Sequence, residues 1–156
     1  TIGENFSKFA VEFSNLINDK WKIIYKLHPG EYSNWKKRYP WLANSGIEVV
    51  DSLRHNIYEY FAISNVQVGV SSTAIFEGLG FGLDTFIFNT VSAECMKQLC
   101  QDGFAAEVNS AKELADKLEK NIKSKKNKDK LFWKENAFNN LCVEINKCID
   151  STTACS

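Results

Sequence analysis

The sequence predicts an α/β domain in which a parallel sheet is covered by helices on both faces. Three observations carry this reading. Short β-branched or aromatic runs recur about every 20 residues, apolar stripes at helical spacing separate them, and each run stops at polar, proline or glycine residues. With 156 residues, 44% hydrophobic and 13% aromatic, the chain can bury a core of ordinary density, and a single domain is expected.

The first element is a helix. Thr1-Ile2-Gly3-Glu4 has the form of a capping box, and Phe6, Phe9, Phe13, Leu16 and Ile17 then recur on one face. Trp21 to Leu27 alternates Lys22 and Lys26 with apolar neighbours and ends at His28-Pro29-Gly30, where a ladder cannot continue. A short helix is expected over Ser33 to Arg38, ending before Pro40. Asn44-Ser45-Gly46 then turns the chain into a second strand, Ile47 to Val50, with Asp51 at its carboxyl end.

Ile57, Tyr60, Phe61 and Ile63 mark the next helix, and Val66, Val68 and Val70 a third strand that runs into Ser71-Ser72-Thr73. A helix from Ala74 to Leu79 follows. Strand four is Thr85 to Phe88, a helix covers about Ser92 to Gln101, and strand five is Phe104 to Val108 after the breaker Gly103. Ser110 and Glu113 box the start of a helix carrying Leu114, Leu118 and Ile122.

This order defines a Rossmann-like domain over residues 1–122. Residues 123–130, KSKKNKDK, form a Lys-rich linker without apolar periodicity. Over 131–150, Phe138, Leu141, Cys142, Ile145 and Ile149 predict an extra C-terminal helix packing back on the domain, and 151–156 are a polar tail. A doubly wound sheet that opens on a helix lacks its first strand. The reading is that this strand was cut away before Thr1, or that another segment replaces it.

Charge and cysteine content narrow the partners. Lys plus Arg and Asp plus Glu number 19 each, so no overall field favours nucleic acid, and a charged ligand has to be recognised locally. The five cysteines, Cys95, Cys100, Cys142, Cys148 and Cys155, are odd in number and lack CxxC spacing. They are read as reduced thiols of a cytoplasmic protein without a metal site. Val68 to Phe88, the most apolar stretch, contains Glu77, Asp84 and several glycines, which argues against a membrane span.

Ligands of parallel α/β sheets bind at the carboxyl ends of the strands, and the candidate residues lie there. Ser71, Ser72 and Thr73 place three hydroxyls at a strand-to-helix turn beside unpaired backbone N–H groups, a setting suited to phosphate without a lysine. The plainer alternative is one N-cap among small turn residues. Glu77, about one turn further on, could accept from ribose hydroxyls or lie on the helix surface. His28 could donate to a phosphate or be structural, Asp51 is expected to be structural, and His55 stays open. Gly78, Gly80 and Gly82 imply close approach of backbone or ligand, without the GxGxxG or GxxxxGK pattern.

The segments KLHPGE, containing His28-Pro29, and VGVSSTAIFEGLGFG, containing Ser71-Ser72-Thr73, are joined in part by NIYEYFAISNVQVGV. With them the chain resembles the C-terminal, donor-binding half of GT-B glycosyltransferases over about Trp21 to Leu118. The nearest likeness is to bacterial sialyltransferases and to capsule or teichoic-acid polymer transferases. That resemblance implies that His28 and Pro29 help hold a nucleotide and that Ser71, Ser72 and Thr73 hold its phosphate. It implies a CMP-, CDP- or UDP-linked sugar as substrate rather than a resident cofactor. It also implies a general base in an N-terminal acceptor domain of the full-length protein, and peripheral membrane association of that protein. Two other readings stand beside it. One is a UDP-sugar 2-epimerase-like domain. The other is a phospho-receiver module with Asp51 as acceptor, in which Asn89 stands where such modules carry a lysine.

Overall fold

The computed structural model describes residues 1–17, 20–120 and 135–153, with the side chains of 148–153 excepted. The Lys-rich linker lies outside the described residues.

Helix α1 (Ile2–Leu16) begins with one of the two bonds of the expected capping box, the Thr1 hydroxyl accepting the Glu4 N–H at 3.2 Å. Strand β1 (Ile24–Lys26) follows. His28 caps a 3-10 turn, Pro29–Glu31, and two short helices, α2 (Trp35–Arg38) and α3 (Pro40–Ala43), lead to β2 (Glu48–Val50). Pro40 opens α3 where the sequence reading had only a stop, because at the first helical position its missing N–H costs nothing. The remaining elements are α4 (Ile57–Ile63), β3 (Val66–Gly69), α5 (Ala74–Gly80), β4 (Asp84–Phe88), a 3-10 segment (Val91–Met96), α6 (Lys97–Gln101), β5 (Ala106–Val108) and α7 (Ala111–Glu119). Helix α8 (Ala137–Thr153) lies beyond the linker.

The fold is α/β with parallel strands and helices on both faces, as the alternation of elements implied. The strands form two sheets rather than one: β1 pairs with β2, and β3-β4-β5 form a second group, all pairings parallel. The break falls between β1 and β3.

Alternation along β4 sends neighbouring side chains to opposite faces. Phe86 joins Phe9, Phe13, Val108, Ala111 and Leu114, so α1 and α7 cover one face. Ile87 joins Val70, Ile75, Leu79, Met96, Leu99 and Phe104 beneath α5 and α6 on the other. A third cluster holds Tyr25, Leu27, Trp35, Tyr39 and Leu42 under the first half of α1. Ser7, fully buried on that helix, donates to the Glu4 carbonyl at 2.9 Å and accepts from the Trp41 indole at 3.0 Å.

The first turns of α1 lie over the carboxyl ends of both sheets. Gly3 sits against Tyr39 and Glu31, just past β1, while the Phe6 ring is 5.8 Å from that of Tyr25 and 6.2 Å from that of Phe88, the last residue of β4. At the other end of the helix, Ile17 packs in the same cluster as Ile23 and Val66, at the strands' amino ends. Both sheets therefore run in one direction, antiparallel to α1.

Helix α8 departs from expectation. Phe138, Leu141 and Ile145 are 77%, 58% and 49% exposed, so these side chains are not buried on the domain. Helical periodicity establishes an apolar stripe but says nothing of what covers it.

Candidate functional site

Because the strands are parallel, every strand exit lies on one edge, and the residues found there are polar: His28 after β1, Asp51 after β2, Ser71 after β3, Asn89 after β4 and Asn109 after β5. His28 and Ser71 follow the two strands that flank the break.

Ser71, Ser72 and Thr73 are all exposed. The three divide their roles. The Ser72 hydroxyl accepts the Ala74 N–H at 3.2 Å and its carbonyl the Ile75 N–H at 3.1 Å, so Ser72 does the local capping. Thr73, the N-cap of α5, makes no side-chain cap bond. Among the described residues the hydroxyls of Ser71 and Thr73 and the N–H groups of Ser72 and Thr73 make no hydrogen bond. Four donors at the positive end of a helix suit an anion.

The His28 imidazole is exposed, and its Nδ1 accepts the Gly30 N–H at 3.1 Å while Glu31 reaches back to the His28 N–H at 3.4 Å. An accepting Nδ1 in neutral imidazole leaves the proton on Nε2, which is then the available donor. Pro29 sets the first position of the 3-10 turn that holds this geometry. Behind it, Tyr39 is 1% exposed and donates its hydroxyl to Glu31. Burial first, and then the loss of that bond on ionisation, push the Tyr39 phenol up to about 12.

Asp51 accepts the Trp35 indole N–H at 2.8 Å, which ties the β2 exit to α2. Replacing Asp51 with alanine is expected to cost about 1 kcal/mol in chemical denaturation, whereas Asp51→Asn, which keeps a carbonyl acceptor, stays within about 0.5 kcal/mol of the parent. His55 pairs with Glu59 at 2.9 Å near the start of α4, and its hydrogen bond holds the Glu59 carboxyl below the usual carboxylate range. Glu77 is half-buried on α5 beside the Tyr58 hydroxyl of α4, and its negative charge raises the Tyr58 phenol.

The glycine of α5 that admits a close neighbour is Gly78, and that neighbour is a side chain from β3. A Cβ at Gly78 would collide with the Gln67 amide. Gln67 Nε2 donates to the Ile75 carbonyl at 2.8 Å and to the Thr85 hydroxyl at 2.9 Å, and Thr85 in turn donates to the Leu83 carbonyl at 2.9 Å.

Three edge residues escaped the sequence reading as site candidates. Asn89 donates to Asn109 at 2.9 Å, which links the exits of β4 and β5, and the buried Thr90 hydroxyl beside them has no hydrogen-bond partner among the described residues. The signal was present in FIFNT and AEVNS, where polar residues follow apolar strands just as Ser71 follows Val70. Among the described residues no three His, Cys, Asp or Glu side chains converge on a metal-sized site, and no helix is long and apolar enough to cross a membrane. Comparison with protein-family models, with curated proteins and with solved structures found no match.

Proposed function

We propose that this chain is the donor-nucleotide-binding half of a glycosyltransferase-like enzyme. In this reading it transfers a sugar from a CMP-, CDP- or UDP-linked donor during surface polysaccharide synthesis. The observation that carries the proposal is the pair of donor sets at one sheet edge. The Ser71 and Thr73 hydroxyls with the free N–H groups of that turn follow β3, and the His28 Nε2–H follows β1, the strand on the other side of the break. Ser71 to Thr73 would hold the phosphate, with Ser72 shaping the turn, and His28 with Pro29 would meet the nucleotide. As the sugar leaves, charge grows on the nucleotide phosphate, and donors already aimed at it stabilise that charge. Glu77 would meet the ribose only by leaving Tyr58. A general base and an acceptor site would come from an N-terminal acceptor domain. A nucleotide-sugar donor places the protein in the cytoplasm, and the free thiols of Cys95, Cys100 and Cys142 agree with that.

Titration with CMP, CDP, UDP and acetyl phosphate, read by thermal shift and amide NMR, tests the proposal. One nucleotide at about 100-fold over its Kd should stabilise the fold by about 2.7 kcal/mol. Ser71→Ala combined with Thr73→Ala should weaken it roughly 100-fold, at about 1.5 kcal/mol for each hydrogen bond to a charged phosphate. Absence of nucleotide binding, or binding indifferent to both substitutions, overturns the proposal. A response to acetyl phosphate alone, centred on Asp51, would favour the receiver reading.

A further inference from the structure

The break between the two sheets has the properties of an empty strand position. The Leu27 N–H donates to the Val50 carbonyl, so Tyr25 and Leu27 point their backbone groups at β2, and alternation turns those of Ile24 and Lys26 to the opposite side. The Asp84 N–H donates to the Asn65 carbonyl, so Asn65 and Gln67 face β4, and Val66 and Val68 turn away. Among the described residues each sheet thus ends in an unpaired edge, and the two edges lie beneath the same helix. Helix α1 lies across both: Phe6 touches Tyr25 on one side and Phe88 on the other, and Ile23, Val66 and Val68 all pack against the cluster built on Phe9 and Phe13. Two open edges beneath one helix, inside a core, are costly unless something pairs with them.

We propose that a further strand, parallel to β1 and β3 and joined directly to Thr1, occupies this slot and closes the two sheets into one of order β2-β1-slot-β3-β4-β5. The direction of α1 decides the occupant. Its N-terminus stands over the carboxyl edge of both sheets, so a segment entering Thr1 by a short loop would run through the slot from the amino to the carboxyl edge, parallel to its neighbours. This is a βαβ unit whose helix and second strand are α1 and β1. The chain order would then reverse at the slot, β1 and β2 on one side and β3 to β5 on the other, which makes the carboxyl end of the slot the crevice where such sheets take ligands. The loop into Thr1 would emerge between His28 and Ser71 and complete the edge on which both stand. The strand assignment does not depend on what that edge binds.

The test adds to Thr1, through a loop of roughly two or three residues, an apolar strand of about six valine and isoleucine residues. A control extension carries proline at the two central strand positions. The expected result is a rise in Tm of about 5 °C or more over the control, with hydrogen exchange at the amides of Ile24, Lys26, Val66 and Val68 slowed at least about tenfold. Equal Tm and equal exchange in the two extended proteins overturn the proposal. So does protection of those four amides in the unextended chain: with dimerisation by sedimentation a second copy fills the slot, and without it another segment of this chain does.

Discussion

Phe9→Ala is expected to lower the unfolding free energy by about 3–5 kcal/mol, the range for removing a buried phenylalanine. The ring is 6% exposed and sits where three elements meet. It stacks within 4.4 Å of Phe88 on β4, lies 6.0 and 6.5 Å from Phe6 and Phe13 on its own helix, and shares a cluster with Ala111 and Leu114 of α7. Ala111 and Leu114 are themselves fully buried, so α7 has little room to move in and fill the cavity. For a chain of this size the loss corresponds to a fall in Tm of roughly 6–20 °C. Phe138→Ala is the matched control. That ring is 77% exposed on α8, and its removal should stay within about 0.5 kcal/mol. Similar costs at the two positions would mean that α8 is covered in solution, and a small cost at Phe9 would mean that α1 is not part of the core.

The contrast between these phenylalanines marks what periodicity can reveal. Both lie on helical stripes that are plain in the sequence, and both helices form, yet Phe9 is buried and Phe138 is exposed. Strand and helix order was legible because β-branched runs and capping residues are local signals. Ser110, for example, accepts the Glu113 N–H at 3.1 Å as its spacing implied. The break between β1 and β3 was not legible in that way, because lateral neighbours in a sheet are set by long-range packing. The same division runs through the candidate site. Polar residues at strand exits could be picked out, but the sharing of roles within Ser71-Ser72-Thr73 depends on which oxygen meets the Ala74 N–H. The capping of Gly30 by His28 is foreshadowed by HPGE, a polar side chain ahead of a proline turn. The Trp35 contact of Asp51 joins residues 16 apart and has no sequence signature.

Gly78→Ala is expected to destabilise the fold by about 2–4 kcal/mol, against the usual gain of up to about 1 kcal/mol for this exchange inside a helix. The sign is reversed by Gln67. Its amide occupies the space a methyl group would need, and displacing it breaks the bonds to the Ile75 carbonyl and to Thr85, which is 1% exposed. Overpacking contributes about 1–3 kcal/mol, and the loss of the two hydrogen bonds donated by Gln67 adds a further cost. A double-mutant cycle separates this cause from a need for ligand access. Gln67→Ala alone should cost about 1–3 kcal/mol, since it also strips those groups of their donor. In that background the clash is gone, and Gly78→Ala should become neutral or stabilising by up to about 1 kcal/mol. A glycine kept for a ligand's approach would behave otherwise: Gly78→Ala would leave the unfolding curve of the free protein unchanged or improved and would weaken only nucleotide binding. A Gly78→Ala protein as stable as the parent, with Gln67 in place, would therefore remove the packing explanation and make α5 part of the ligand site.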